Sequence, residues 1–426
     1  MRGNSVPPVL KCVLEAVQTP AEPDYSAPPR RSGGRSLGKP IALTLFALLI
    51  AALIAVHLVP LDATSFEKAA AARFGQPVKI GSVHLALFPL PRMRFDKVSV
   101  GADAPLTIET VHAVPELATL REEHKAFKSL DLEAAVIPQA WLAGLWEKGD
   151  AEAFRIAKIT ARGAKLELDG LAVPALDLSL AFNEDGSLAL ASATSADQKT
   201  ALKLEFKGAE ATLDISGKSF ALPFGGSAAP VVFEDFSAKG TLKRDELLLN
   251  EIEVSALGGF AAGSARLRWR SGWMLDGELA LRRGEVEKIA GALLRAGVLE
   301  GRAVFSMKAA GADKLLAAPR MEGSFTVQKG TLVGVDLTQV LQSSNASGGS
   351  TQFSELNGSA VYDSGRVQAR QLRLVAGLLN ATGSAELGPQ RALSGRFTVE
   401  LRAASTQARA SVSLGGTLDM PQFRRN

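Results

Sequence analysis

The feature that most constrains this chain is an unbroken apolar stretch at residues 41–59, IALTLFALLIAALIAVHLV. It carries no charge, and Thr44 and His57 are its only strongly polar side chains. As a helix, its 19 residues would be roughly 28 Å long, about the thickness of a bilayer's hydrocarbon core. A helix buried in a soluble domain is disfavoured because the stretch has no polar face. We therefore predict a transmembrane anchor at residues 41–59.

The residues on either side of this stretch predict its orientation. Arg30, Arg31, Arg35 and Lys39 precede it, so its N-terminal flank is expected to face the cytoplasm. The competing interpretation is a cleaved signal peptide, whose apolar region is about 7–15 residues long and ends at a small-x-small site. This stretch is longer and is followed by Pro-Leu-Asp at 60–62, so an uncleaved anchor is favoured.

Charge and cysteine content limit what the remaining chain can be. Residues 1–40 contain six basic and three acidic residues, and the rest contains 42 basic and 41 acidic residues, which gives +3 and +1. So small an excess predicts no large basic patch and argues against nucleic acid as a partner. The tail at 1–40 is rich in Pro, Ser, Gly and Arg and is predicted to be disordered. Cys12 is the only cysteine, so the part beyond the anchor must fold without disulfides.

Four helices are predicted after the anchor. Thr64–Phe74 is the first, because Thr64 and Glu67 have the spacing of a capping box and Gly75 follows. The others are predicted from helical spacing of apolar residues, at 138–148, 284–301 and 336–341.

The dominant pattern of the chain is an alternation of apolar and polar residues. Residues 78–100 predict two strands joined by a proline-containing turn, and similar segments recur about every 10–15 residues to the C terminus. In 202–206, for example, Leu202, Leu204 and Phe206 alternate with Lys203 and Glu205. Such segments predict antiparallel strands with one buried and one wet face.

The fold class predicted is therefore mainly β. An N-terminal transmembrane helix precedes an elongated, curved, groove-like antiparallel sheet with a few short helices. We count about 20 to 24 strands, which side by side at ~4.8 Å each would extend about 100 Å or more. A single sheet of that length must curl. Two compact sandwiches are the alternative, and periodicity alone does not separate the two.

Residue patterns typical of catalysis are absent from the sequence. His57, His84, His112 and His124 have no metal-ligand spacing. Gly-Lys-Ser at 217–219 lacks the first glycine of a phosphate loop, because residue 212 is threonine. We therefore predict no catalytic, cofactor-binding or metal-binding residues and a protein that is not an enzyme.

Two groups of landmarks resemble those of the AsmA family. The first is FGQPVKI at 74–80, LALFP at 85–89 and FDKV at 95–98, with Gln76 where the family more often has arginine. The second is FTVQKGTLVGVDL at 325–337, a series of glycine and apolar positions over 349–372, and GGTL at 415–418 followed by Pro421. Residues 100–280 carry the strand pattern but no landmark.

This resemblance implies a single-pass protein of the bacterial inner membrane, with a cytoplasmic N terminus and a long periplasmic β-rich part. The family is associated with outer-membrane biogenesis, and its large members resemble bridge-like lipid-transfer proteins that carry phospholipid in a hydrophobic groove. The expected organisation is a disordered cytoplasmic tail at 1–40, the anchor at 41–59, an AsmA-like N-terminal helix and β region at 60–150, a β-meander at 151–283 and an AsmA-like C-terminal β region with short helices at 284–426.

Two functions remain open at this point. In the first, alternate Leu, Val, Phe and Ala side chains line a groove that shelters phospholipid acyl chains, at about 0.8 kcal/mol per buried methylene. In the second, the protein's own side chains fill the same face, and the protein is a structural or regulatory envelope scaffold that docks on outer-membrane assembly machinery. The expected partners are phospholipid, the inner membrane and possible envelope proteins, and no cofactor is expected.

Overall fold

The structure is a computed structural model that describes residues 62–86, 91–116, 118–119, 122, 124–146, 152, 154–168, 173–222, 231–342, 348–388, 390–402 and 407–426. Within these ranges no helix is both long and apolar enough to cross a membrane. The tail at 1–40 and the anchor predicted at 41–59 lie outside the described residues, so both stay predictions.

The described residues form 24 strands in one sheet. Strand content is 69%, and the sheet is large and curved, as the alternation predicted. The alternative of two separate sandwiches is wrong, because hydrogen-bonded pairing continues without a break from the first strand to the last.

The strands are β1 (Val78–Ala86), β2 (Arg92–Val100), β3 (Leu106–Pro115), β4 (Lys125–Glu133), β5 (Val136–Pro138), β6 (Phe154–Ile156), β7 (Lys158–Glu167), β8 (Leu176–Phe182), β9 (Leu188–Ser195), β10 (Thr200–Lys207), β11 (Glu210–Leu222), β12 (Val231–Leu242), β13 (Glu246–Ala256), β14 (Gly259–Arg268), β15 (Trp273–Glu285), β16 (Leu294–Arg295), β17 (Val298–Ala309), β18 (Arg320–Val333), β19 (Ser350–Asp363), β20 (Arg366–Ala376), β21 (Leu379–Leu387), β22 (Leu393–Arg402), β23 (Gln407–Gly416) and β24 (Pro421–Arg425).

Nearly every strand pairs antiparallel with the strand that precedes it in the chain. The exceptions among the described strands are β16, which pairs with β18 while β17 pairs with β15, and the junction at which β4 and β5 pair in parallel with β6 and β7. Parallel neighbours need a crossover, and a 3₁₀ helix at Gln139–Trp146 lies in this one. The domain boundary predicted at 150/151 falls in the same crossover and that at 283/284 falls inside β15. Both predicted domain boundaries therefore lie within one continuous sheet, and the division into domains stays a prediction.

Bulges bend the strands of this sheet. In β7, β15 and β20 the chain inserts one extra residue relative to the neighbouring strand, near Gly163, Arg283 and Gln371. All three have positive φ, at 60°, 57° and 52°. A bulge bends its strand and increases the local twist, which curves a wide sheet. At each bulge, two successive residues of the same face are three positions apart instead of two, as Ala369 and Leu372 are. Apolar side chains therefore lie on the same face before and after the bulge.

The first helix, α1, spans Thr64–Phe74 as predicted, and Gly75 ends it with a left-handed φ of 64°. The predicted capping box is wrong. The Oδ1 atom of Asp62 accepts hydrogen bonds from the backbone N–H and the hydroxyl of Thr64, at 3.0 and 2.7 Å. Glu67 is instead engaged with the sheet, since its Oε1 atom accepts the N–H of Ile80 at 2.8 Å.

The other predicted helices have mixed outcomes. The helix at 336–341 exists as α3, Leu337–Gln342, and Asp336 accepts the N–H of Thr338 at 2.8 Å near its start. The segment at 138–148 is the 3₁₀ helix in its described part. The prediction for 284–301 is wrong, because only α2, Glu287–Ala290, is helical and the flanking residues belong to β15, β16 and β17.

Asp96 ties together the first three strands on the polar side of the sheet. Its carboxylate accepts hydrogen bonds from Arg94 Nε at 2.7 Å, Ser82 Oγ at 3.2 Å and Thr110 Oγ1 at 3.3 Å. Burial, the largest single influence, raises the pKa of this carboxyl, but the three hydrogen bonds together outweigh it and hold the pKa below its ordinary value. The charged form therefore stabilises the fold.

We expect Asp96→Asn to lower the free energy of unfolding at neutral pH by about 1–3 kcal/mol, the cost of weakening charged hydrogen bonds. Because the folded-state pKa is lowered, this contribution is complete above the ordinary aspartate pKa of about 3.9 and is lost as the pH falls through the lower, folded value. Denaturant unfolding across this pH range measures the difference, with Glu109→Gln, an exposed carboxyl on β3, as control. A difference between Asp96→Asn and the original chain that did not shrink in acid would contradict this account.

Candidate functional site

The register of the sheet keeps apolar side chains on one face from end to end. In β10 and β11, Leu204 lies opposite Leu213, and the next residue, Lys203, lies opposite Asp214. The side chains of directly paired residues lie on the same face, so each such pair shows which residues of both strands belong to that face. We call the two sides the apolar face and the polar face. The apolar face extends from pairs such as Val83 with Phe95 in β1 and β2 to Leu414 with Phe423 in β23 and β24.

Helix α1 covers the apolar face at the N-terminal end of the sheet. Its Phe66 ring meets the Phe95 ring edge-on, with centroids 5.5 Å apart. Val83 and Met93 beneath it have no exposed surface. The side chain of Arg73 is also buried, and its Nη2 donates to the carbonyl of Gly186 at 2.6 Å, which ties α1 to the turn between β8 and β9. This end of the face is therefore a closed hydrophobic core.

A second core closes the C-terminal end. Val340 of α3 and Val335 just before it have no exposed surface, and they pack in one cluster with Val399 of β22 and Val412 of β23. Helix α3 touches β22 and β23 directly. Both ends of the apolar face are thus covered by elements of the chain itself.

Between these ends, the apolar face has a continuous line of very small residues. There are six of these residues, one on each strand from β17 to β22, and each lies directly opposite the one on the next strand. None of the six is buried, and each keeps part of its surface accessible. Six strands at ~4.8 Å give this line a length of about 24 Å. We call it the small-residue row: Ala303, Gly323, Ala360, Ala369, Ala385 and Gly395.

Large apolar residues form a wall on each side of the row. On one side, Met321, Val367 and Leu387 are partly exposed. On the other side, Phe325, Leu372 and Phe397 are also partly exposed, and a further line of buried residues lies behind them. The residues of this buried line are Leu299, Val327, Leu374, Ala381, Val399 and Ala410. The small-residue row is therefore a trough that is backed by a packed core along one side and accessible along the other.

Aromatic rings lie against glycines of the neighbouring strands. A Cβ atom at Gly277 would lie 2.5 Å from Cζ of Phe305, and one at Gly383 would lie 2.6 Å from Cδ1 of Phe397. The rings therefore use the space that a side chain would occupy at these glycines.

The groups whose pKa values are shifted all lie away from the trough. Besides Asp96, they include Asp197, whose carboxyl pKa is lowered by hydrogen bonds from Ser195 and the backbone of Lys199. Glu205 has a lowered pKa because Lys203 donates to it at 2.6 Å on the polar face. The trough walls are hydrocarbon, with the Tyr362 phenol as a polar exception. The arrangement can hold an apolar ligand, and it offers no described pair of groups for proton transfer.

The other residues considered from the sequence are dispersed over the sheet. Gly217, Lys218 and Ser219 lie within β11, where a phosphate loop does not form. His84 and His112 lie on the polar face of β1 and β3, each 3.8 Å from a carboxylate. In the part of the chain that the structure describes, no three His, Cys, Asp or Glu side chains converge as metal ligands would.

The sequence predicted the apolar face but did not reveal the trough. Leu204 lies on that face as expected, yet it is only 6% exposed, so it belongs to the packed part of the sheet. Successive members of the small-residue row are 9 to 37 residues apart in the chain and become neighbours only through the register. The signal that could have found them is an alanine or glycine at the centre of successive strands.

Comparison with known proteins adds no identification, since no family model, curated protein or solved structure matches this chain. The resemblance to the AsmA family therefore stays a prediction from the quoted residues.

We expect Ala303→Phe to obstruct the trough. Its ring would project into the row beside Gly323, and the affinity for a fatty acid should fall roughly ten-fold, the loss of about two methylenes of contact. The matched control is Val304→Phe, because Val304 is the next residue, lies on the polar face and is already 52% exposed.

Fatty-acid binding can be followed with a polarity-sensitive dye at a single position. Cys12 is the only cysteine, so a Cys12→Ser, Val367→Cys chain can be labelled in the trough wall alone. Equal palmitate titrations for the Ala303→Phe and Val304→Phe chains would show that the row does not bind the ligand.

Proposed function

We propose that this protein is an AsmA-type, inner-membrane-anchored periplasmic protein that supports outer-membrane biogenesis by binding phospholipid on the apolar face of its sheet. The observation that carries the proposal is the small-residue row, which is apolar, walled on both sides and uncovered. An ordinary core of this size would contain side chains that fill this space.

The dimensions of the trough suit an acyl chain. One leaflet of a bilayer accounts for about half of its 30 Å hydrocarbon core, so an acyl chain is about 15 Å long. The row is about 24 Å long at ~4.8 Å per strand. Each methylene that moves from water into such a trough contributes about 0.8 kcal/mol. The head group can remain in water on the accessible side, beside Met321, Val367 and Leu387.

The closed ends favour a particular mode of binding. Because α1 and α3 cover the two ends of the apolar face, a lipid would enter over the accessible side of the trough rather than pass through an open end. This favours a protein that holds one or a few lipids. Conduction along the whole length of the sheet would require movement of α1 or α3.

Photocrosslinking in cells tests the proposal directly. A benzophenone amino acid at Ala369, in the row, should give covalent phospholipid adducts that mass spectrometry identifies after proteolysis. The same amino acid at Glu253 of β13 is the control, since this exposed residue lies on the polar face between the buried Ile252 and Val254.

The outcomes separate the two functions left open by the sequence. Phospholipid adducts at Ala369 and not at Glu253 support the lipid-binding function. Adducts to another protein at either position, with no lipid at Ala369, would instead support the envelope scaffold. A chain carrying both Ala303→Phe and Ala369→Phe should then fail to restore the outer-membrane barrier in a deletion strain, whereas Val304→Phe should restore it.

A further inference from the structure

The positive charge of this chain is concentrated at its C-terminal end. Residues 366–426 contain nine arginines, no lysine and three acidic residues, Glu386, Glu400 and Asp419. Their net charge is therefore 9 − 3 = +6, against +4 for the whole chain. The overall balance predicted no large basic patch, and that prediction is wrong because a slightly acidic remainder hides the excess.

The sheet arranges these arginines in a line on the polar face. The register places Arg302 opposite Ser324, Ser324 opposite Ser359, and Ser359 opposite Arg370. Ser384 lies opposite the bulge at 370–371. The line then continues through Arg396 and Ser413 to Arg424. We call this the arginine–serine row: Arg302, Ser324, Ser359, Arg370, Ser384, Arg396, Ser413 and Arg424.

The arginines of this row lack the carboxylate partners that are common elsewhere on the polar face. Cations on other strands of this face pair with acids, as in Lys203 with Glu205 at 2.6 Å and Arg266 with Glu246 at 3.3 Å. Among the described residues, none of the four row arginines forms such an ion pair, and all four are exposed. Arg370 donates to the side-chain amide oxygen of Gln368 at 2.6 Å, and Arg424 to that of Gln422 at 3.4 Å. Their positive charge is therefore available to an external anion.

The chemistry of the row matches phosphate. A guanidinium fork pairs with two oxygens of a carboxylate or a phosphate, but a phosphate has further oxygens that can accept from a serine hydroxyl. From β17 to β24 the row spans seven strand spacings, about 34 Å at ~4.8 Å each. That length exceeds any single small anion and fits an extended array of phosphates.

The surroundings of the row distinguish a membrane from a protein partner. Protein interfaces are centred on buried aromatic or aliphatic anchors. The lines of residues beside this row contain polar side chains such as Gln368, Thr382 and Thr398, carboxylates such as Glu322 and Glu386, and the exposed Val304, with no aromatic side chain among the described neighbours. Attraction of basic residues to an anionic leaflet requires no such anchor.

We propose that the arginine–serine row docks the C-terminal end of the sheet on a membrane surface that contains anionic phospholipids. The lipid phosphates lie along the guanidinium groups of Arg370, Arg396 and Arg424, and the hydroxyl of Ser384, between Arg370 and Arg396, donates to a remaining phosphate oxygen. This surface is on the opposite face from the trough, so the inference does not depend on whether the trough holds lipid.

The test uses the full chain held in nanodiscs of phosphatidylcholine. Its binding to vesicles of phosphatidylcholine alone is compared with binding to vesicles that also contain phosphatidylglycerol. The expected result is salt-sensitive binding to the anionic vesicles only. Each neutralised arginine should weaken it about five-fold, so Arg370→Gln, Arg396→Gln and Arg424→Gln together should weaken it roughly 100-fold.

A second triple variant removes the same charge from the same face. Arg320→Gln, Arg366→Gln and Arg409→Gln affect arginines that already have carboxylate neighbours at 3.9, 3.3 and 3.6 Å. This control should bind nearly as well as the original chain, and thermal melting should show that both triple variants remain folded. Equal losses in the two triple variants would overturn the proposal in favour of a simple net-charge effect.

Two further results would also overturn it. One is failure of the original chain to bind anionic vesicles, and the other is binding of a polyglutamate peptide in preference to them, which would indicate an acidic protein partner. Arg370→Lys, Arg396→Lys and Arg424→Lys together keep the charge and should retain most of the salt-sensitive binding, and loss of binding as large as in the glutamine variant would overturn the proposal.

Discussion

Cross-strand register is the constraint on which the rest of this structure depends. A shift of one residue in β18 would move Glu322 and Ser324 to the apolar face and Gly323 to the polar face. Such a shift would interrupt the small-residue row and the arginine–serine row together, since the two rows are adjacent residues on opposite faces. The bulges at Gly163, Arg283 and Gln371 are part of this control, because each absorbs a residue that would otherwise invert the pattern. The two surfaces of the sheet are therefore specified by the same set of backbone pairings.

The sequence predicted the parts of the fold that depend on local pattern. Period-two alternation identified a mainly β chain, although it did not by itself separate one large sheet from two sandwiches, and Gly75 marked the end of α1 correctly. The helix predicted at 284–301 failed because helical spacing of Val286, Ile289 and Val298 does not correspond to one buried stripe. Val286 is 3% exposed, but Ile289 and Val298 are 52% and 45% exposed. Glycines at 291 and 297 also weaken a helix there.

Features that depend on register were beyond the reach of local pattern. The parallel junction of β4 with β7, the trough and the arginine–serine row all join residues that are far apart in sequence. An alanine at the centre of one strand is unremarkable, and it becomes informative only when five neighbouring strands have alanine or glycine at the same level. The total charge gave the wrong expectation for a similar reason, since it averaged an arginine-rich end with an acidic remainder.

The order of strand pairing has a consequence for how the chain acquires its structure. Almost every strand pairs with its predecessor, so most contacts close loops of only a few residues, which costs little chain entropy. A chain delivered with its N terminus first can add one hairpin at a time to an edge that already exists. The parallel junction is different, because β4 must wait for β6 and β7 across a crossover of about 20 residues. Assembly of the sheet is thus sequential on both sides of a single slow step, and that step lies beside the core under α1.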